Sequence, residues 1–207
     1  REYVPIDPAE VTRVADGLKK KGITGVGVVS KFSVRNPSHE TSISSLIEKE
    51  FEHVSLGHTL SGNLNFPRRI HTTFFNTAVM PVQKHFLQSV RKALAELGIR
   101  SPLFFLKADG GTFSDSAADR HPVETILSGP AASMMGGLAL CDDLEATTLM
   151  LDIGGTTTDI GVLIKGIPVL EPKGIDIGGH KTLVRGLKVM SVGAGGDSRV
   201  SLVGQDI

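Results

Sequence analysis

An α/β fold is predicted by three stretches of this sequence. Ile23 to Val29 reads as a buried strand, Asn36-Pro37 opens a helix with Ile43, Leu46 and Ile47 on one face, and His53 to Leu56 reads as a second short strand. Strand, helix, strand in that order implies a parallel pair with a right-handed crossover. Farther along, Leu149 to Ile164 holds two apolar runs around Gly154-Gly155-Thr156-Thr157-Thr158, which reads as a tight hairpin. Between them, Pro67 to Leu97 is helical in pattern. Mixed sheets with flanking helices are the architecture that this order requires.

The remaining elements follow from start and stop signals. Asp7-Pro8-Ala9-Glu10 combines an N-cap acid, proline at the first helical position and glutamate three after the cap. Val11, Val14, Ala15 and Leu18 then repeat at helical spacing, and Gly22 closes the end. Residues 57–66, rich in glycine and asparagine, read as a loop or domain joint. They divide the chain into an α/β segment, 1–66, and a segment, 67–207, that begins with a helical connector. Pro81 predicts a kink or break midway along that connector. Leu103 to Leu106 reads as a buried strand running into the turn Asp109-Gly110-Gly111.

A further helix begins at Leu127-Ser128-Gly129-Pro130-Ala131-Ala132-Ser133, with Pro130 expected at its first position. Gly136 and Gly137 lie inside it, where each glycine costs about 1 kcal/mol against alanine. The pair therefore predicts the close approach of another backbone. After the hairpin, Lys165-Gly166 reads as a second tight turn and Ile167 to Leu170 as the third strand of a meander. The crossover unit and the meander are expected in different sheets. Val192-Gly193-Ala194-Gly195-Gly196-Asp197-Ser198 leaves an apolar run and turns.

Composition narrows the function classes. The chain has 207 residues, 40% apolar and 21% charged, with 22 basic and 22 acidic side chains. That is long enough to bury a real core, and zero net charge gives no electrostatic case for nucleic acid or an anionic membrane surface. No stretch approaches the roughly 20 apolar residues of a membrane span. The single cysteine, Cys141, excludes an intrachain disulfide and suits a reducing cytoplasm. Arg1-Glu2-Tyr3 is no signal peptide, and a start without methionine suggests a piece of something longer.

The hairpin carries the chemistry. Glycines let backbone N–H groups converge on an anion, and threonine hydroxyls add donors. One aspartate stands at each shoulder, Asp152 and Asp159. Two carboxylates repel a bare phosphate, but they make sense around a hydrated Mg²⁺, the usual companion of nucleotide phosphates. The competing reading is a plain hairpin with hydroxyls in its loop. Neither a Walker loop nor a dinucleotide fingerprint is present.

The pattern from Asp152 to Asp159 resembles the phosphate hairpin of the actin-like ATPase superfamily, whose fold is ribonuclease H-like. Members carry a small-residue connecting helix before the second hairpin and a glycine turn near the adenosine after it, and this chain has that order at 129–140, 152–159 and 193–196. Nothing in 1–148 resembles a first hairpin, so the fold is expected to be incomplete in this chain. Within the superfamily the chain resembles the hydantoinase/oxoprolinase family, hydantoinase A type. The carrying residues are Val28 to Glu40, Leu127-Ser128-Gly129-Pro130-Ala131-Ala132, Asp152 to Asp159 and Val192 to Gly196. Lys188-Val189-Met190 and Asp197 depart from the Asp-Ile-His and third glycine of many members.

The resemblance implies an ATP-dependent hydrolase of a cyclic amide, a hydantoin or 5-oxoproline, working with a hydantoinase B type subunit. On that reading Gly154, Gly155, Thr156 and Thr157 cradle the phosphates of ATP. Asp152 and Asp159 act in catalysis by orienting metal-bound water, and Gly193, Gly195 and Gly196 allow nucleotide approach. The related ATP-dependent ketone carboxylase subunits share these motifs. A non-catalytic nucleotide switch of chaperone type is the alternative from another class. His58, His71 and His121 read as ordinary polar or partly buried residues, and Arg68-Arg69 as a solvated pair.

Overall fold

In the computed structural model, which describes residues 4–199 and 201, the elements run α1 (Pro8–Lys20), β1 (Gly25–Val28), α2 (Ser38–Ile47), β2 (His53–Leu56), α3 (Gly57–Leu60) and α4 (Phe66–Glu96). Then follow β3 (Phe104–Leu106), β4 (Thr112–Ser114), α5 (Asp115–Arg120), a 3₁₀ turn at Pro122–Thr125 and α6 (Ser128–Ala139). The last are β5 (Thr147–Ile153), β6 (Thr158–Ile164), β7 (Ile167–Pro168), β8 (Asp176–Ile177), β9 (His180–Lys181) and β10 (Val189–Val192). They gather into two compact units. The first takes residues up to 105, 113–126 and 173–184; the second takes 106–112, 127–172 and those from 185 on.

The first unit is built on the parallel pair β1–β2, in register from Gly25↔His53 to Val28↔Leu56. Alternation along the strands decides what each face meets. Val28 joins Ala15, Ile47 and Phe51 in a buried cluster, with Val26, Val54 and Leu56 packed against it. The opposite face carries Gly25 and Gly27 because α4 lies on it. A Cβ would stand 2.8 Å from the Thr77 methyl at Gly25 and 2.9 Å from the Thr73 methyl at Gly27. Asp7 caps α1 as its sequence predicts, accepting from Ala9 N–H at 2.9 Å.

Several expectations are revised here. Residues 57–66 are not a plain joint: α3 occupies their first part, and α4 packs on β1 and β2 within the same unit. The compact units accordingly do not divide at residue 66. Pro81 does not break α4, which is helical from Phe66 to Glu96. One missing backbone bond is outweighed by anchors on both sides: the Thr73 and Thr77 packing before it, and the Arg91–Asp115 ion pair at 2.9 Å after it. Pro130 is the third residue of α6, not the first. The first turn of a helix has no N–H acceptors inside the helix, so proline is tolerated there.

In the second unit the hairpin β5–β6 runs antiparallel from Thr147↔Ile164 to Ile153↔Thr158. Strands β10 and β7 both pair along the other edge of β6, so the meander stands in a four-stranded sheet separate from β1–β2, as expected. The Lys165-Gly166 turn between β6 and β7 has both residues at positive φ, 49° and 70°, the geometry of a two-residue hairpin. Helix α6 covers one face of this sheet through Ala131 and Met134, which pack with Leu163, Leu187 and Met150. Gly137 and Gly161 admit methionine side chains, not a backbone. A Cβ would lie 1.5 Å from Met150 Cε at Gly137 and 2.2 Å from Met134 Sδ at Gly161, whereas Gly136 faces open space.

Candidate functional site

The loop Gly154–Thr157 is closed by one backbone bond, from Gly154 N–H to the Thr157 carbonyl at 2.9 Å. Gly154 has thereby spent the N–H that the sequence reading gave to the cradle. Gly155, Thr156 and Thr157 are exposed, and among the described residues no hydrogen bond engages their N–H groups. Three adjacent donors at the tip of a strand turn are what an anion site requires.

The glycine turn sits directly on this loop. Gly196 N–H donates to the Gly154 carbonyl and Asp197 N–H to the Gly155 carbonyl, each at 2.9 Å. The Thr158 hydroxyl donates to the Ala194 carbonyl at 2.7 Å. A Cβ on Gly195 would come within 2.6 Å of both loop carbonyls. Gly195 is therefore required by its own fold, a reason different from nucleotide approach. Gly193 has nothing within 4 Å of a Cβ, and Gly196 only the Gly154 oxygen at 3.8 Å, so these two leave an open surface.

Asp152 and Asp159 are directly opposed in the β5–β6 register, and Ser191 of β10 is opposed to Asp159 in turn. Side chains directly across a strand pair stand about 5 Å apart. Two carboxylates at that distance repel by roughly 1 kcal/mol in water, rising to about 3 kcal/mol at an effective dielectric of about 20. Among the described residues no lysine, arginine or histidine forms an ion pair with either. Hydroxyls serve instead: Ser133 of α6 donates to Asp152 Oδ2, and Ser191 to Asp159 Oδ1. Both aspartates line a cavity of about 330 Å³ bordered by Ser133, Gly136 and Gly137.

This donor set fits a hydrated divalent cation. Each carboxylate keeps one oxygen free of hydrogen bonds among the described residues, and no group of three or more histidine, cysteine, aspartate or glutamate side chains gathers there. Mg²⁺ takes one or two carboxylates and fills its octahedron with water and phosphate oxygens. A site of two free carboxylate oxygens beside an N–H cradle answers that description.

The sequence reading missed Ser133 and Ser191, because no spacing links residue 133 to 152 or 191 to 159. It also misread Arg68-Arg69. Arg69 is wholly buried and donates to the Ser30, Lys31 and Asn63 carbonyls at 2.7–2.9 Å. Arg68 donates to the Lys173, Gly174 and Thr182 carbonyls, tying the β8–β9 segment to α4. Glu40, also fully buried, accepts from Ser30 N–H at 2.7 Å, His58 N–H at 2.9 Å and His58 Nδ1 at 2.7 Å. Burial pushes the Glu40 carboxyl up, but bonds from Ser33, His58 and Ser30 outweigh it and hold the group below its ordinary value. His71 bonds the Lys181 carbonyl at 3.0 Å, and burial keeps His121 below the usual imidazole value.

The fold that carries this hairpin, its opposed aspartates and the glycine turn seated on it is shared with two solved structures. The nucleotide-free structure of acetone carboxylase superposes with a TM-score of 0.82 at 23% identity, over 93% of this chain and 28% of that one. The ATP-dependent caprolactamase of Pseudomonas jessenii gives 0.79 at 24%, over 95% and 29%. The hydantoinase/oxoprolinase family model matches residues 69–206, and the model of that family's N-terminal region matches residues 1–51. The chain belongs to the hydantoinase/oxoprolinase family. Among curated relatives it is 28% identical to caprolactamase subunit alpha of Pseudomonas jessenii, over 95% of this chain and 29% of the relative. It is 31% identical to 5-oxoprolinase 1 of Arabidopsis thaliana, over 77% of this chain and 13% of the relative. The chain thus spans less than a third of the length of either. Among the described residues no helix is long and apolar enough to cross a membrane.

Proposed function

We propose that this chain is the phosphate-hairpin portion of an ATP-dependent hydrolase acting on a cyclic amide. The observation that carries the proposal is the loop at 154–157, with three unengaged N–H groups and two opposed carboxylates at its mouth, in a chain of this family. Gly155, Thr156 and Thr157 would bind the nucleotide phosphates, and Gly154 would hold the loop closed. Asp152 and Asp159 would hold Mg²⁺ through its water shell, and Gly193 and Gly196 would leave the adenosine side open. Bound Mg²⁺ supplies charge neutralisation on the phosphates as the phosphoryl group moves. In the whole protein ATP would supply its γ-phosphoryl group to the ring carbonyl oxygen with release of ADP; water would then add to the activated carbon, and the ring would open as the C–N bond breaks and inorganic phosphate leaves.

On this reading the β5–β6 hairpin forms one wall of the nucleotide cleft. The protein would work in the cytoplasm with a second, hydantoinase B type subunit; a lone cysteine suits that setting. A ketone carboxylase is the second reading, favoured by the likeness to the acetone carboxylase structure. ATP hydrolysis by the whole protein and its partner separates the two. Stimulation by lactams, hydantoins or 5-oxoproline supports the proposal. Stimulation only by a ketone with bicarbonate overturns it for the carboxylase, and stimulation only by unfolded peptide overturns it for a chaperone-type switch.

A further inference from the structure

Four side chains form one polar line in the second unit. Ser191, Asp159 and Asp152 stand side by side across β10, β6 and β5, each opposed to the next in register. Ser133 reaches the outer end of that row from α6, which packs on the same face through Met134 and Met150. The two hydroxyls donate outward-in: Ser191 to Asp159 Oδ1, Ser133 to Asp152 Oδ2. Among the described residues Asp159 Oδ2 and Asp152 Oδ1 take no hydrogen bond, and both aspartates line the same cavity.

We infer that Ser133 and Ser191 are positioning residues for the divalent cation, an assignment that rests on the nucleotide reading above. Without a donor at each side, two like charges facing each other across a strand pair would turn their side chains apart. A hydroxyl bonded to one oxygen of each carboxylate fixes its rotamer and leaves the other oxygen as a ligand. Both hydroxyls are well supported for this. Ser191 is fixed by the β10–β6 ladder, and among the described residues the one other acceptor bonded by Ser133, the Gly129 carbonyl, is a weak one at 3.5 Å. Groups that orient metal-bound carboxylates in this way typically change metal affinity 10- to 100-fold when removed.

The test uses the whole protein and titrates Mn²⁺, a spectroscopic substitute for Mg²⁺, with and without ADP. Ser133→Ala and Ser191→Ala are each expected to raise the Mn²⁺ Kd in the ADP complex about tenfold, with metal-free ADP affinity within twofold of wild type. Ser191→Thr, which keeps the hydroxyl and suits a strand, should return the Kd to within about threefold. Melting temperatures of all three variants report any general loss of fold. Alanine variants whose Mn²⁺ Kd stays within twofold overturn the inference. So does loss of metal-free ADP binding in step with metal binding, since that marks a merely structural role. Failure of the underlying reading looks different: wild-type protein binds no ADP, or Asp152→Asn leaves Mn²⁺ binding unchanged.

Discussion

Asp152 and Gly195 are the two residues of the hairpin and its glycine turn with the most to lose from a single substitution. If Asp152 serves Mg²⁺, Asp152→Asn in the whole protein should cut turnover strongly and weaken metal dependence. Its melting temperature should hold or rise slightly, because the repulsion with Asp159 is relieved. If Asp152 instead serves only to fasten the hairpin, the melting temperature should drop while residual activity keeps normal Mg²⁺ dependence. A Mg²⁺ titration and a thermal melt on that one variant decide between these outcomes. Gly195→Ala places a methyl 2.6 Å from two backbone carbonyls that have no freedom to swing away. The turn should lift off the loop at a cost of about 1–3 kcal/mol, read as a lowered midpoint in urea. Gly193→Ala has open space and should leave the midpoint unchanged within about 0.5 kcal/mol.

At the scale of elements, the segments after β1 and β2 are latched by buried charges that do not pair with each other. Glu40 holds Ser30 and His58, while Arg69 holds Ser30, Lys31 and Asn63. Because the Glu40 carboxyl is held below its ordinary value of 4.5, its stabilisation is fully present above that pH and is lost as pH falls through the lower folded value. Stability measured by urea titration should therefore decline below about pH 4.5, and Glu40→Gln should flatten that decline. At neutral pH the same variant should cost about 1.5–3 kcal/mol, because the amide nitrogen of glutamine cannot accept the bonds that one carboxylate oxygen takes. A pH-independent difference between the two proteins would remove Glu40 from this role. Helix α4 makes a related point: Pro81 costs one bond, and tertiary anchors on either side keep the helix whole.

At the scale of the whole molecule, in-line phosphoryl transfer needs metal, nucleotide and acceptor held together. On the proposed reading the described residues supply one such hairpin, β5–β6, so the 207-residue chain by itself should neither turn over ATP nor open a cyclic amide. Steady-state assays of the isolated chain beside the whole protein check this, and comparable rates would exclude the single-wall reading. The sheet of the hairpin also shows Leu149, Leu151, Ile153 and Met190 on its face away from α6, each more than half exposed.

The sequence alone determined the elements whose causes are local. The Asp7-Pro8 start of α1, the parallel strands around α2, the Lys165-Gly166 turn and the hairpin with its shoulder aspartates were all legible, because capping, periodicity and turn chemistry act within a few residues. Family membership was legible for a related reason, since it rests on runs of adjacent residues. What only the tertiary structure decided were relations between distant positions. Arg69 proved buried, Gly137 and Gly161 proved to admit methionines, Gly195 proved to lie on Gly154 and Gly155, and the aspartates acquired serine partners 19 and 32 residues away. Burial and hydrogen bonding depend on which surfaces meet, and the chain order of residues does not encode that directly.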